Sequence, residues 1–268
     1  MFILAPSKRW CFLYCLVGIQ QTIKAGNQTE GNALTVKFKR KEVKYLLTEE
    51  QREAVEQAMA EYMKEDEFGE SIIRNVYFDT ATGLLCRRSL EKPLYKEKLR
   101  IRSYCRLAEN QNAFLELKKK YKGIVYKRRI RIRENEFYEY LDGKRPFPEE
   151  GQIAREIDYF CRMYKTIQPR MYLCYDRCAY YGNDDPDFRV TFDRNIRWRT
   201  DRLSLSEEAD GENLLDEGMS LLEIKAAEAM PLWMVRVLTE QRVQKVSFSK
   251  YGTAYTQLTE MRGTIQYA

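Results

Sequence analysis

Charged and apolar residues alternate along several stretches of this chain, which would put the charges on one face of a strand. Lys98, Arg100 and Arg102 interleave with Leu99 and Ile101, and Glu116, Lys118 and Lys120 with Leu115 and Leu117. Lys127, Arg129, Arg131 and Arg133 do the same around Ile130 and Ile132. Arg40, Glu42 and Lys44 share a face near the N-terminus. Arg177, then Arg189 with Asp193, then Glu223 with Lys225, continue the pattern further along. Taken singly, each is the wet face of an open sheet. Recurrence over six or seven strands points instead to a lined tunnel. Enclosed cations repel, by roughly 4 kcal/mol for a pair ~4 Å apart at an effective dielectric of about 20. They therefore require internal carboxylates, water and a polyanionic ligand. Glu42, Glu116 and Glu223, on the same faces, could hold a hard divalent cation through oxygen. The chain has neither a Walker A loop nor a kinase Gly-rich loop, so phosphate would be held by side chains.

Composition narrows the chemistry further. None of the 268 residues is histidine. Ser-His-Asp hydrolysis, Cys-His proteolysis, His-ligated metals and imidazole shuttles are thereby excluded. With 44% hydrophobic and 32% charged residues, the chain reads as an ordinary globular protein of one large or two small domains. The net charge is only +6, but Lys96–Arg133 holds fourteen Lys/Arg against three Glu, while Asp201–Glu217 is acidic. One segment is built to meet an anion. Seven cysteines, with no CxxC pair, read as reduced structural thiols.

The elements that would position these faces follow from period and punctuation. A strand is expected over 36–45, and Thr48-x-x-Gln51 predicts a capped helix over 48–64 burying Val55, Met59 and Tyr62. Strands are expected at 72–79, 98–104, 114–120 and 124–133. Ile153, Ile157, Phe160 and Tyr164 mark a helix over 150–165, ended by Pro169. Strands at 171–180, 188–199 and 221–226 follow, the last two separated by a solvated acidic loop. Pro231 opens a short helix, and 248–261 is helical after its first residues. The expected fold is α+β: an antiparallel β-barrel of about eight strands with helices packed outside. Lys8-Arg9 before the ten-residue apolar run Trp10–Ile19 has a signal-like shape, too short to span a bilayer. Residues 1–33 are expected to be a poorly ordered leader and 34–268 the folded domain. No other run approaches membrane length, so a cytoplasmic location is expected, a secretory leader remaining open.

The ordered series Arg40-x-Glu42-x-Lys44-Tyr45, Val76-Tyr77-Phe78-Asp79-Thr80, Lys98-Leu99-Arg100-Ile101-Arg102 and Phe114-Leu115-Glu116-Leu117-Lys118 resembles a known family. Tyr175-Asp176-Arg177, Leu221-Leu222-Glu223-Ile224-Lys225 and Phe248-Ser249-Lys250-Tyr251 complete it. The family is the VTC domain, the polyphosphate polymerase domain of vacuolar transporter chaperones, within the triphosphate tunnel (CYTH-like) superfamily. The resemblance implies a triphosphate tunnel binding ATP with Mn²⁺ or Mg²⁺, and transfer of the terminal phosphoryl group to polyphosphate. By motif position it implies phosphate ligands at Lys44, Arg100, Arg102, Lys118, Lys127 and Arg177. Arg40, Arg189, Ser249 and Lys250 would be further substrate contacts, and Glu223 the metal carboxylate.

Two departures qualify what carries over. Tunnel triphosphatases usually open with Glu-x-Glu-x-Lys, and Arg40 replaces the first Glu here, which suits a polymerase better than a two-metal hydrolase. The SPX and transmembrane modules of the eukaryotic transporters have no counterpart in the chain, so regulation by inositol phosphates does not carry over. A tunnel triphosphatase and a non-enzymatic polyanion binder are the rival readings. Nucleic acid is not an expected partner, because the charged faces lack the aromatics on which bases would stack.

Overall fold

The computed structural model describes residues 41–122, 124–227 and 229–266. The expected leader, the start of the expected first strand and the candidate Arg40 lie outside them. Among the described residues eleven antiparallel strands form one sheet: β1 (Lys41–Leu47), β2 (Met63–Glu65), β3 (Ser71–Asp79), β4 (Tyr95–Ser103), β5 (Asn112–Tyr121), β6 (Ile124–Arg133), β7 (Gln168–Gly182), β8 (Arg189–Arg199), β9 (Glu212–Asn213), β10 (Ser220–Ala226) and β11 (Lys245–Val246). The main path runs β11-β1-β10-β8-β7-β3-β4-β5-β6, with β2 attached to β7 and β9 to β8. The eight long strands are those expected from alternation. β2, β9 and β11 are two or three residues long, too short for any period to show.

Among the described residues no ladder joins the edge strands β6 and β11, so backbone bonding does not close the barrel. The sheet nevertheless curls. Lys118 on β5 lies five ladder steps from β10, ~24 Å on a flat sheet. Yet its ammonium interacts electrostatically with Glu42 on β1 and Glu223 on β10. The charged faces therefore meet across a concave interior.

Among the described residues six helices accompany the sheet: α1 (Glu49–Met59), α2 (Leu84–Leu90), α3 (Glu134–Leu141), α4 (Gln152–Tyr164), α5 (Leu232–Glu240) and α6 (Lys250–Gln266). Because α1 stops at Met59, Tyr62 lies beyond it and is exposed, against expectation. Thr48 forms the expected capping box, its Oγ1 accepting from Gln51 N at 3.3 Å while Gln51 Oε1 accepts from Thr48 N at 3.0 Å. Phe137 of α3 and Ile157 and Phe160 of α4 bury Leu99, Ile101, Leu115, Leu117 and Ile132. Val55 and Met59 of α1 and Met234, Val237 and Leu238 of α5 bury Val190, Phe192, Leu222 and Ile224. These four helices cover the convex side, as expected.

The last helix does not. Tyr251 and Ala254 of α6 pack with Tyr77, Leu173, Tyr175 and Leu221, which stand on the charged face. Tyr251 stacks on Tyr77 at 4.6 Å. Beside the helices packed outside, α6 lies against the concave side, where the apolar part of that face leaves room for it. The short helices α2 and α3 do not follow from the sequence pattern, since eight residues or fewer carry little periodicity. The acidic stretch after β8 is also less solvated than expected. Leu205 and Leu214 within it are buried, and Leu205 N donates to the Glu134 carboxylate at 2.9 Å.

One irregularity matters to the site. Between Cys174 and Asp176 on β7, β8 spends one extra residue. Asn195 takes a φ of 47° there, a left-handed conformation that asparagine tolerates. The bulge keeps Trp198, opposite Leu173, and Asp193, opposite Arg177, on the same concave face. Cys86, Cys161 and Cys174 are buried free thiols and Cys178 is half-buried, while Cys105 is disulfide-bonded, against the expectation of reduced thiols. No helix among the described residues is long and apolar enough to cross a membrane.

Candidate active site in the concave sheet

Two carboxylates organise the interior. Glu116 sits mid-strand on β5, in register with Arg100 on β4 and Arg129 on β6. Arg100 donates to Glu116 Oε2 from Nε at 2.9 Å and Nη2 at 2.7 Å. On Oε1 converge Arg129 Nε at 2.6 Å and Lys127 Nζ at 2.7 Å. Tyrosines align the guanidiniums, Tyr77 Oη accepting from Arg100 and Tyr104 Oη from Arg129. Burial pushes the Glu116 carboxyl up, but Arg100, Arg102, Lys127 and Arg129 outweigh it and hold it well below the usual carboxylate range.

Glu223 stands on β10, opposite Lys44 of β1 and Thr191 of β8. Lys44 Nζ and Lys250 Nζ donate to its Oε1 at 3.0 and 3.1 Å, and Arg177 Nη2 lies 3.7 Å from Oε2. Arg177 forks onto Asp193 at 2.6 and 2.7 Å, and Lys250 also pairs with Asp193. Glu42 is 3.4 Å from Lys44 Nζ. Burial again raises the Glu223 carboxyl, and Lys250, Lys44, Arg177 and Lys225 bring it well below its ordinary value.

Between these clusters lie cations without carboxylate partners. Lys98 Nζ donates to Ser249 Oγ at 2.8 Å, its one hydrogen bond among the described residues, and burial brings its ammonium down to about 8. Lys118, lowered by burial, forms no hydrogen bond or ion pair among the described residues. Arg102 is held by Asn75 Oδ1 and Tyr175 Oη, both at 2.8 Å. The potential is positive enough that Arg100, Arg102 and Lys98 overcome burial and bring the Tyr77 phenol down to about 8.

Lys44, Arg100, Arg102, Lys118, Lys127, Arg177, Glu223, Ser249 and Lys250 thus face one interior, as expected. Lys250 is a counter-ion of Asp193 and Glu223 more than a free phosphate ligand. Arg189 is not brought in. It shares the register of Lys225, but its side chain is exposed and its Nε donates to Pro186 O. Asp193, Lys98, Arg129 and Lys225 are legible on the alternating faces but not as site residues. Tyr77 and Tyr175 fall within the motifs quoted above, but their role, like that of Tyr104, depends on which strands become neighbours.

The donor set can be tested against a divalent metal. Among the described residues no three His, Cys, Asp or Glu form a ready-made centre. Glu223 does lie close enough to Glu42 to oppose the cations that lower its carboxyl, and both are oxygen donors. A hard cation bound by one or two carboxylates, with phosphate oxygens completing its shell, fits that pair.

The VTC domain family matches residues 39–259, so this chain belongs to the VTC domain family. No curated protein matches the chain. Among solved structures, a "putative adenylate cyclase" from Bacillus halodurans is similar at 14% identity and a TM-score of 0.48, over 78% of this chain and 92% of that one. Another from Vibrio parahaemolyticus has 10% identity and a TM-score of 0.43, over 81% and 97% of the two chains. At this distance neither speaks to the chemistry of this chain.

Proposed function

We propose that this domain is an ATP–polyphosphate phosphotransferase. The terminal oxygen of a polyphosphate chain attacks the γ-phosphorus of ATP, the bond from that phosphorus to the β–γ bridging oxygen breaks, and ADP leaves. No general base is required, because polyphosphate oxygens are already ionised. That suits a chain without histidine. Mn²⁺ or Mg²⁺, held by Glu223 with Glu42, would supply charge neutralisation on the terminal phosphates. The protein's part is positioning and electrostatic stabilisation of a loose transition state.

The observation that supports this reading most is the cation surplus along the strands. Among the described residues, Lys44, Lys98, Arg100, Arg102, Lys118, Lys127, Arg129, Arg177, Lys225 and Lys250 share this face with Glu42, Glu116, Asp193 and Glu223. Cations with no direct ion pair among the described residues, such as Lys118, strung along several strands suit an extended polyanion better than a single small anion. A gel that sizes the products of ATP and Mn²⁺ incubation tests the proposal. A ladder of long chains is expected. Phosphate release without chain growth would replace it with a tunnel triphosphatase, and no turnover with retained polyphosphate binding would leave a polyanion-binding module.

A further inference from the structure

One end of the sheet carries apolar side chains that the described helices leave exposed. Leu99 of β4 and Leu117 of β5 are a buried pair beneath the outer helices. Four residues further along each strand stand Tyr95 and Tyr121, directly opposite each other and each 47% exposed. On β6, Val125 is 47% and Tyr126 39% exposed, and Leu94, just before β4, is 71% exposed. Lys122 N donates to Leu94 O at 2.9 Å, which ties the approach to β4 and the β5–β6 turn into one tip. By alternation Tyr95, Tyr121 and Tyr126 stand on the convex face, whereas Val125, opposite Lys120, stands on the concave one.

Lysines surround these residues. Residues 90–96 and 119–126 hold five lysines against one acid, Glu91. Lys92, Lys120 and Lys122 are exposed, and Lys122 Nζ lies 5.4 Å from the centre of the Tyr121 ring. Glu97 adjoins the tip but is buried, taking the Tyr95 hydroxyl at 2.5 Å, the Tyr164 hydroxyl at 2.9 Å and Lys119 at 3.8 Å. It therefore presents no charge to solvent. Burial first, then the repulsion of Lys120, Lys118 and Lys92, lowers the Lys96 ammonium, which marks these cations as one cluster.

We propose that this tip docks the protein on an anionic lipid surface, its apolar side chains entering the headgroup layer and its lysines meeting the lipid anions. Apolar residues on both faces favour lipid over a protein partner, because a headgroup layer surrounds a wedge whereas a protein surface covers one face of it. Tyrosine suits that boundary, with an apolar ring and a wet hydroxyl. A soluble polyanion would use the lysines and leave the apolar side chains in water; an anionic bilayer uses both. Leu94, Lys122 and Tyr126 lie outside the candidate active site, so the proposal stands apart from the tunnel chemistry.

Co-sedimentation of the full chain with vesicles of equal parts phosphatidylserine and phosphatidylcholine, and with vesicles of phosphatidylcholine alone, tests this. Binding to the anionic vesicles should be about tenfold tighter and should weaken as salt rises. L94S/Y126S should fold as the wild type does and bind the anionic vesicles about tenfold more weakly, having lost apolar area that enters the bilayer. K122E should weaken the same binding about fivefold, which keeps the test valid if L94S/Y126S misfolds. Tripolyphosphate affinity should stay within about twofold of wild type in both, since the changes are remote from the tunnel ligands. The apolar run Trp10–Ile19 is a second candidate for lipid, so the variants decide. Unchanged vesicle binding in both variants, equal binding to the two kinds of vesicle, or loss of vesicle binding on adding stoichiometric tripolyphosphate would overturn the docking tip.

Discussion

Glu116 and Glu223 both gather cations in the interior, but the company they keep is different. Glu116 is 1% exposed and meets three cations with no second carboxylate beside it. Its contacts run across three consecutive strands, β4, β5 and β6. Glu223 shares its cations with others, Lys44 with Glu42 and Lys250 and Arg177 with Asp193. Removing Glu116 therefore strips a whole cluster of counter-charge. Removing Glu223 leaves every cation another acid. The first carboxylate aligns phosphate ligands, whereas the second belongs to an acid-rich group suited to a divalent cation.

The sharpest break of this contrast is Glu116→Gln. Arg100, Arg129 and Lys127 would face each other over a neutral amide, and we expect a loss of ~3–5 kcal/mol in urea denaturation. A loss under ~1 kcal/mol would show that water compensates the cluster. Next comes Glu223→Gln, for which the fold should lose less than ~2 kcal/mol while metal-dependent turnover drops by about 10²-fold. Metal titration of both proteins, alongside denaturation, checks it. Near-normal turnover at saturating Mn²⁺ would make Glu223 the same kind of residue as Glu116.

Lys118→Met sharpens the comparison from the ligand side. Lys118 is solvent-accessible in the concave face and forms no ion pair among the described residues. Its loss should leave stability without ligand unchanged or slightly raised and weaken tripolyphosphate binding about tenfold. A fall in melting temperature would mean that Glu42 depends on this lysine. The pH profile reports on Lys98, whose ammonium is brought down by burial to about 8. The unfolded chain keeps that proton up to the ordinary value near 10.5, so it binds more protons than the fold between the two. The Lys98 penalty is thus fully present below pH 8 and diminishes as pH rises through that window. Metal-free tripolyphosphate affinity should move oppositely, falling as the charge is lost. The smallest effect is expected for Arg189→Ala, within about twofold in binding and ~0.5 kcal/mol in stability, since its side chain is exposed and turned to Pro186 O.

Much of this site is legible in the order of residues alone. Period-2 alternation places Lys98, Arg100 and Arg102 together, and Glu116 with Lys118, because a strand leaves each side chain only two faces to choose between. The eight long strands follow from the same rule. Short elements do not, as the two- and three-residue strands β2, β9 and β11 and the seven-residue helix α2 lack a measurable period. Nor can alternation say that Arg189, on the expected face of β8, folds back onto its own turn.

What the sequence determined by itself is the supply of charge and its sidedness. A chain without histidine, with cations recurring every second residue, commits to side-chain electrostatics on one face of each strand. What only the tertiary structure decided is which charges neutralise one another. Pairing depends on strand order and curl: Lys44 meets Glu223 across residues 179 apart in sequence, and Asp193 meets Lys250 because α6 lies on the concave side. A Coulomb interaction depends on distance in space, and chain spacing sets that distance only within a strand or helix.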